Sequence, residues 1–87
     1  MAKFRVPSLM RDLTAGQDEV EMGGTTVGEL LENLTAAYPG FAARLVADGR
    51  LKPGLTILVD DRVAIRGLGE RLGSGCRIQI RQAVAGG

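Results

Sequence analysis

The last five residues, Ala83-Val84-Ala85-Gly86-Gly87, carry the most specific chemical reading in the chain. They follow a patterned segment, Cys76 to Gln82, and contain no charge, cap or turn former that would close it off. What such an ending offers is the carboxylate of Gly87. A carboxylate is a poor electrophile, so a nucleophile attacks it only after activation, for instance by adenylation. The activating enzyme must admit the tail into a narrow cleft. Two residues without a Cβ let the backbone approach closely and adopt φ values closed to other residues. Five extended residues reach roughly 16 Å, enough to enter a partner's active site while the rest of the domain stays outside. The plain alternative is a frayed end of the kind most domains have. No residue follows Gly87 in the sequence, so this reading expects no protease to expose it.

The other reactive side chains offer less. The chain has no histidine, which removes the commonest general base and the commonest zinc ligand. Its single cysteine, Cys76, is in phase with Ile78 and Ile80, and free cysteine on an inward face acts as a small hydrophobe. Without histidine there is no Cys–His pair, and one cysteine makes neither a disulfide nor a cysteine-rich metal site. Asp60-Asp61 supply too few ligands for a hard cation and read as turn formers. Gly67, Gly69, Gly73 and Gly75 match neither the phosphate-binding loop nor the dinucleotide fingerprint, and turn geometry accounts for them. The expectation is therefore no catalytic residue, no metal and no bound cofactor.

The arginines form a pattern. Arg62, Arg66, Arg71, Arg77 and Arg81 are opposed in their segment only by Glu70, whereas every charge from Asp18 to Glu32 is acidic. This predicts a domain with a basic tail end, steering the tail onto an acidic patch of a partner through Arg66, Arg77 and Arg81. A solvated sheet face is the plainer account of any one of them. With a net charge of +1, no Trp, and only Phe4, Tyr38 and Phe41 as aromatics, nucleic acid is not an expected partner. No apolar run approaches the ~20 residues that span a membrane, and Met1-Ala2-Lys3-Phe4 does not open a signal peptide. The single cysteine fits a reducing, cytoplasmic setting.

Eighty-seven residues make one domain, with residues 1–82 as its body and 83–87 as a flexible tail. Ala2 to Val6 alternates as a strand that Pro7 ends. Ser8 to Thr14 holds Leu9, Met10 and Leu13 and reads as an irregular cover over the core. After a turn at Ala15-Gly16, Gln17 to Met22 alternates again, giving an antiparallel hairpin with a wide loop. Thr26 and Glu29 fit a capping box, and Val27, Leu30, Leu31, Leu34 and Tyr38 share one helical face. Pro39-Gly40 ends that helix. Phe41 to Ala47 reads as a second, shorter helix, with turns at Asp48-Gly49 and Pro53-Gly54. Leu55 to Val59 is an inner strand, Val63 to Arg66 a short return strand, and Gly67 to Gly75 a loop anchored by Leu68 and Leu72. Cys76 to Gln82 is the final strand, with Cys76, Ile78 and Ile80 inward. The first and last strands are candidates for the sheet centre. This predicts an α+β, β-grasp (ubiquitin-like) fold: a mixed sheet of four to five strands with one long helix packed on one face.

The ending Val84-Ala85-Gly86-Gly87 resembles that of the ThiS/MoaD family of ubiquitin-like sulfur carriers. Thr26-Val27-Gly28-Glu29-Leu30-Leu31 is similar to the opening of the family's long helix. Leu55 to Val59 with Asp60-Asp61-Arg62 resembles its third strand and turn, and Leu68, Leu72, Gly75, Ile78 and Ile80 resemble its last loop and strand. The likeness covers nearly the whole chain in order. Chain length, Val6-Pro7-Ser8 and the tail lean towards the CysO type. Cys76, and Gln82-Ala83 before the tail, depart from the family's acidic residue and prolines and bear on which partner is served.

The resemblance implies that an E1-like adenylyltransferase uses ATP to adenylate Gly87. Sulfur then replaces AMP, and the thiocarboxylate serves a sulfur-accepting biosynthetic enzyme making cysteine, a thiosugar or a similar product. Ala83, Val84, Ala85 and Gly86 would thread the partner's active site, and the carrier alone would be a monomer. The small subunit of molybdopterin synthase, a modifier joined to target lysines, and an adaptor whose tail does no chemistry stay open as alternatives.

Overall fold

A computed structural model describes residues 1–82; the tail expected at 83–87 lies outside the described residues. Seven strands and two helices follow in order: β1 (Ala2–Arg5), β2 (Glu19–Met22), α1 (Val27–Ala37), α2 (Gly40–Leu45), β3 (Val46–Ala47), β4 (Arg50–Leu51), β5 (Leu55–Val59), β6 (Arg62–Val63) and β7 (Arg77–Gln82). Five strands form one mixed sheet in the order β2-β1-β7-β5-β6. The terminal strands β1 and β7 lie side by side at its middle and run parallel, pairing Lys3 with Arg77 and Phe4 with Ile78. Every other pairing in the sheet is antiparallel. This is the β-grasp arrangement expected, with α1 over one face.

Alternation decides which side chains meet α1. Ala2 and Phe4 of β1, Val20 of β2, Ile57 of β5 and Ile78 of β7 point inward and join one buried cluster with Val27, Leu30, Leu31 and Leu34 of α1. Phe41 of α2 meets Phe4 edge-on, with ring centroids 5.7 Å apart, and Tyr38 packs edge-on against Phe41 in turn. Leu68 and Leu72 are partly buried against the same cluster, as anchors of the last loop should be. That loop is pinned to the start of α1 by two backbone bonds, Val27 N–H to Glu70 O (3.0 Å) and Leu72 N–H to Thr25 O (2.9 Å). Gly28 makes room for it, since a Cβ there would stand 3.2 Å from the Leu68 carbonyl oxygen.

The helix start departs from a standard capping box in one respect. Thr26 Oγ1 accepts from the Glu29 N–H at 3.2 Å, as expected. The Glu29 carboxylate, however, reaches one residue further back. It accepts from Thr25 N–H at 2.8 Å and from Thr25 Oγ1 at 2.7 Å. The Thr25 bonds favour the ionised form and hold the Glu29 carboxyl below its ordinary value.

Several boundaries differ from the sequence reading. Ser8–Thr14 is a 3₁₀ helix rather than irregular cover, and only part of it covers the core: Met10 is buried and Leu13 half-buried, but Leu9 is exposed. Three-residue periodicity turns Leu9 away from the face that Met10 and Leu13 share. The second helix stops at Leu45. Val46-Ala47 then pairs with Arg50-Leu51 across Asp48-Gly49, whose φ values of +53° and +73° make the two-residue turn that Asp-Gly favours. Asp60-Asp61 adopts the same kind of turn, with φ of +49° and +66°. The return strand is Arg62–Val63. Ala64 N–H still reaches Ile57 O at 2.8 Å, but Ile65 and Arg66 leave the sheet. The second and last strands begin at Glu19 and Arg77, later than Gln17 and Cys76, though Cys76 O still accepts from Lys3 N–H at 2.8 Å.

Two stability predictions follow from this core. Leu34 is fully buried, so Leu34→Ala should cost about 2–5 kcal/mol, measured by urea unfolding. The folded state lowers the Glu29 pKa, so the contribution of this group is present at neutral pH and is lost as acid protonates it. Glu29→Gln should therefore lower the urea midpoint at neutral pH, and the gap from wild type should close as the pH falls below the ordinary glutamate range.

Candidate functional site

The site expected at Gly87, with Ala83, Val84, Ala85 and Gly86 leading to it, lies outside the described residues. The described residues fix where that segment starts. Gln82 is the last residue of the central strand and sits in register with Leu55, while Arg81 faces Thr56. Because β7 runs parallel to β1, its C-terminal end lies where β1 gives way to Pro7 and the 3₁₀ helix. Pro7, Ser8, Leu9 and Met10 line a shallow depression of about 170 Å³ against Ile80 and Gln82. The exposed Leu9 belongs to the rim of this site rather than to the core.

Beside it, on the face of the sheet away from α1, a groove of about 300 Å³ is bordered by Arg5, Ser8, Arg11, Gln79 and Arg81. Arg5 and Arg81 are exposed and Arg11 is half-buried. The buried Nε of Arg11 has no hydrogen-bond partner among the described residues.

The three arginines singled out from the sequence are not brought together. Arg81 stands at the root of the tail. Arg77 begins the same strand at its other end, roughly 13 Å away at the rise of a strand. Its N–H donates to Asp60 Oδ1 at 2.9 Å, and its guanidinium lies 3.9 Å from Glu19. Arg66 lies on the loop after β6, in an open bay of about 690 Å³ with Ile65, Glu70 and Arg71. The acidic strand β2 forms one edge of the sheet and β6, with Arg62, the other, while the Arg77 guanidinium reaches towards Glu19. Arg5 and Arg11, which the sequence does not single out, border the same groove as Arg81. The outward phase of Arg5 was legible, but its nearness to Arg81 depends on the parallel β1–β7 pairing. Arg11 sat in a segment read for its leucines.

Cys76 is buried, and burial raises its thiol pKa, with the Asp60 carboxylate adding to the shift. A thiol held protonated in a core is a packing group. Asp60 caps the start of β7, accepting from Arg77 N–H and donating its own N–H to Arg77 O at 2.9 Å. No group of three potential metal-ligating side chains occurs among the described residues. Among those residues no helix is long and apolar enough to cross a membrane. The arrangement offers a rigid platform ending in a central strand, with a mixed apolar and basic surface around the exit.

Comparison with known proteins agrees with this geometry. The model of the ThiS family matches residues 4–87. The sulfur carrier protein CysO of Mycobacterium tuberculosis is 34% identical over 88 residues, covering 94% of this chain and 94% of that protein. Small archaeal modifier protein 3 of Haloferax volcanii is 39% identical over 64 residues, 71% of this chain and 70% of its own. Among solved structures, one chain of the Amycolatopsis orientalis BexX/CysO complex superposes with a TM-score of 0.90 at 30% identity, over 100% of both chains. The chain belongs to the ThiS family and is a CysO-like sulfur carrier protein.

Proposed function

We propose that the protein carries sulfur as a thiocarboxylate on Gly87. An E1-like adenylyltransferase admits the tail, and a Gly87 carboxylate oxygen attacks the α-phosphorus of ATP. Pyrophosphate leaves and an acyl adenylate forms. A sulfur nucleophile supplied by the enzyme system then attacks the acyl carbon, AMP departs, and the terminal group becomes a thiocarboxylate. In a biosynthetic enzyme the thiocarboxylate sulfur bonds to the acceptor, and water then cleaves the acyl–sulfur bond to return the carboxylate. The chain is thus a protein substrate of E1-like and sulfur-transfer enzymes rather than a catalyst, and the ATP belongs to the activating enzyme.

The observation that carries this reading is the position of β7. The strand leading to the tail is the central strand of the sheet, held on both sides by β1 and β5, so the tail's root is fixed to the most constrained part of the fold. The family match continues through Gly87. The BexX/CysO neighbour is a carrier seen in complex with another protein, and delivery to an enzyme partner is the corresponding proposal here. A cytoplasmic setting goes with this reading, as the buried, reduced Cys76 allows. The archaeal modifier relative favours a second reading, in which the same activated tail is joined to a lysine of a target.

Incubation with ATP, an E1-like enzyme and a sulfide source should replace one oxygen of the protein by sulfur, read as an intact-mass increase. A variant lacking Gly86 and Gly87 should stay at its starting mass. A wild-type protein that gains no sulfur with its own organism's activating enzyme contradicts the proposal. Higher-mass conjugates in lysate that disappear in the truncated variant would instead support the modifier reading.

A further inference from the structure

We propose that the groove bordered by Arg5, Arg11 and Arg81 is the seat for a cluster of carboxylate side chains at the mouth of the activating enzyme's cleft. The inference rests on the carrier reading above and adds a surface to it. Three features converge. The groove collects three guanidinium groups from separate parts of the chain: β1, the 3₁₀ helix and β7. Among the described residues none of the three is in an ion pair; the two pairs there are Arg44 with Asp12 and Arg77 with Glu19. Glu19 stands in register with Arg5, but its carboxylate lies towards Arg77. Finally, Arg11 Nε is already out of water without a partner, so part of the desolvation cost of binding an anion is met before any anion arrives.

Position selects the kind of anion. The groove is at the root of the tail, and a nucleotide that reacts with Gly87 lies at its tip. An extended tail separates the two by roughly 16 Å, so the triphosphate cannot fill the groove while its α-phosphorus meets the Gly87 carboxylate. What meets the root of an inserted tail is the rim of the cleft that admits it. Guanidinium groups bind carboxylates in paired, planar geometry, which fixes orientation as well as contact. Ser8 and Gln79, on the same groove, add neutral hydrogen-bonding groups to its border.

The test is ATP–pyrophosphate exchange, with the E1-like enzyme of the same organism and labelled pyrophosphate. The double variant Arg5→Glu/Arg81→Glu should raise the KM for the carrier about tenfold or more at low salt, with kcat within about twofold, because rim charges act on encounter and docking. Raising the salt should shrink the difference. Arg62→Glu/Arg71→Glu changes net charge by the same amount in the bay at the β6 end of the sheet, away from the groove, and should leave KM within about twofold. Thermal unfolding checks that each variant is folded. An unchanged KM in a folded double variant overturns the proposal while leaving the carrier reading intact. So does an equal rise in the Arg62/Arg71 double variant, which would mark a response to net charge alone. Absence of exchange with wild-type protein overturns both readings.

Discussion

The parallel contact between the first and last strands governs the rest of the molecule. It joins Lys3 to Arg77 and Phe4 to Ile78, residues from opposite ends of the sequence, and it is the sheet's only parallel pairing. Closing so long a loop is entropically unfavourable, and the contact persists because it buries Phe4 and Ile78 completely against α1 and α2. The backbone bonds from Lys3 N–H to Cys76 O and from Gly75 N–H to Met1 O extend it beyond the strands. Its direction matters as much as its existence. Were β7 antiparallel to β1, its C-terminal end would lie near Met1. As built, β7 ends beside Pro7, Leu9 and Arg11, with apolar and basic side chains around Arg81 and Gln82.

Features set by neighbours in sequence were legible. The α1 start follows from Thr26 and Glu29, its buried face from Val27, Leu30, Leu31 and Leu34, and the hairpin at Asp60-Asp61 from the turn chemistry of aspartate. Features set by pairing were not. β3 and β4 hold two residues each, too few for alternation to register, and the apolar spacing of Phe41 and Leu45 carried the helical reading past its end. Leu9 looked like core because composition does not say which way a 3₁₀ turn points a side chain. The same limit applies at the site. Gly86-Gly87 and Arg81 could be picked out by local reasoning, whereas the grouping of Arg5, Arg11 and Arg81 exists only after the strands are paired.

The two faces of the sheet divide the work. The inner face, with the helices, holds nearly all of the buried apolar surface and fixes the fold. The outer face presents Lys3, Arg5, Gln79 and Arg81, with Leu58 buried at its margin between the in-register Gln79 and Val63. A substitution on the outer face therefore has little core to disturb. Partner recognition can vary there while the scaffold stays constant, which is how one fold comes to serve different enzymes.

The choice of cations also fits the proposed activation of the terminal carboxylate. Of its eleven basic side chains, nine are arginine and two are lysine, Lys3 and Lys52. Arginine stays protonated at any physiological pH, so it attracts anions without attacking an electrophile. Lys3 lies on β1 opposite Arg77, at the end of the sheet away from Gln82, whereas Lys52 comes just before Leu55, the residue in register with Gln82. The thiol of Cys76 is buried and shifted towards its protonated form. With no histidine in the sequence and its cysteine enclosed, the strongly nucleophilic side chains that remain are these two lysines. The acyl adenylate proposed above would be best preserved on a scaffold with so few of them. The positive surface needed to dock such a tail is then best made of guanidinium groups.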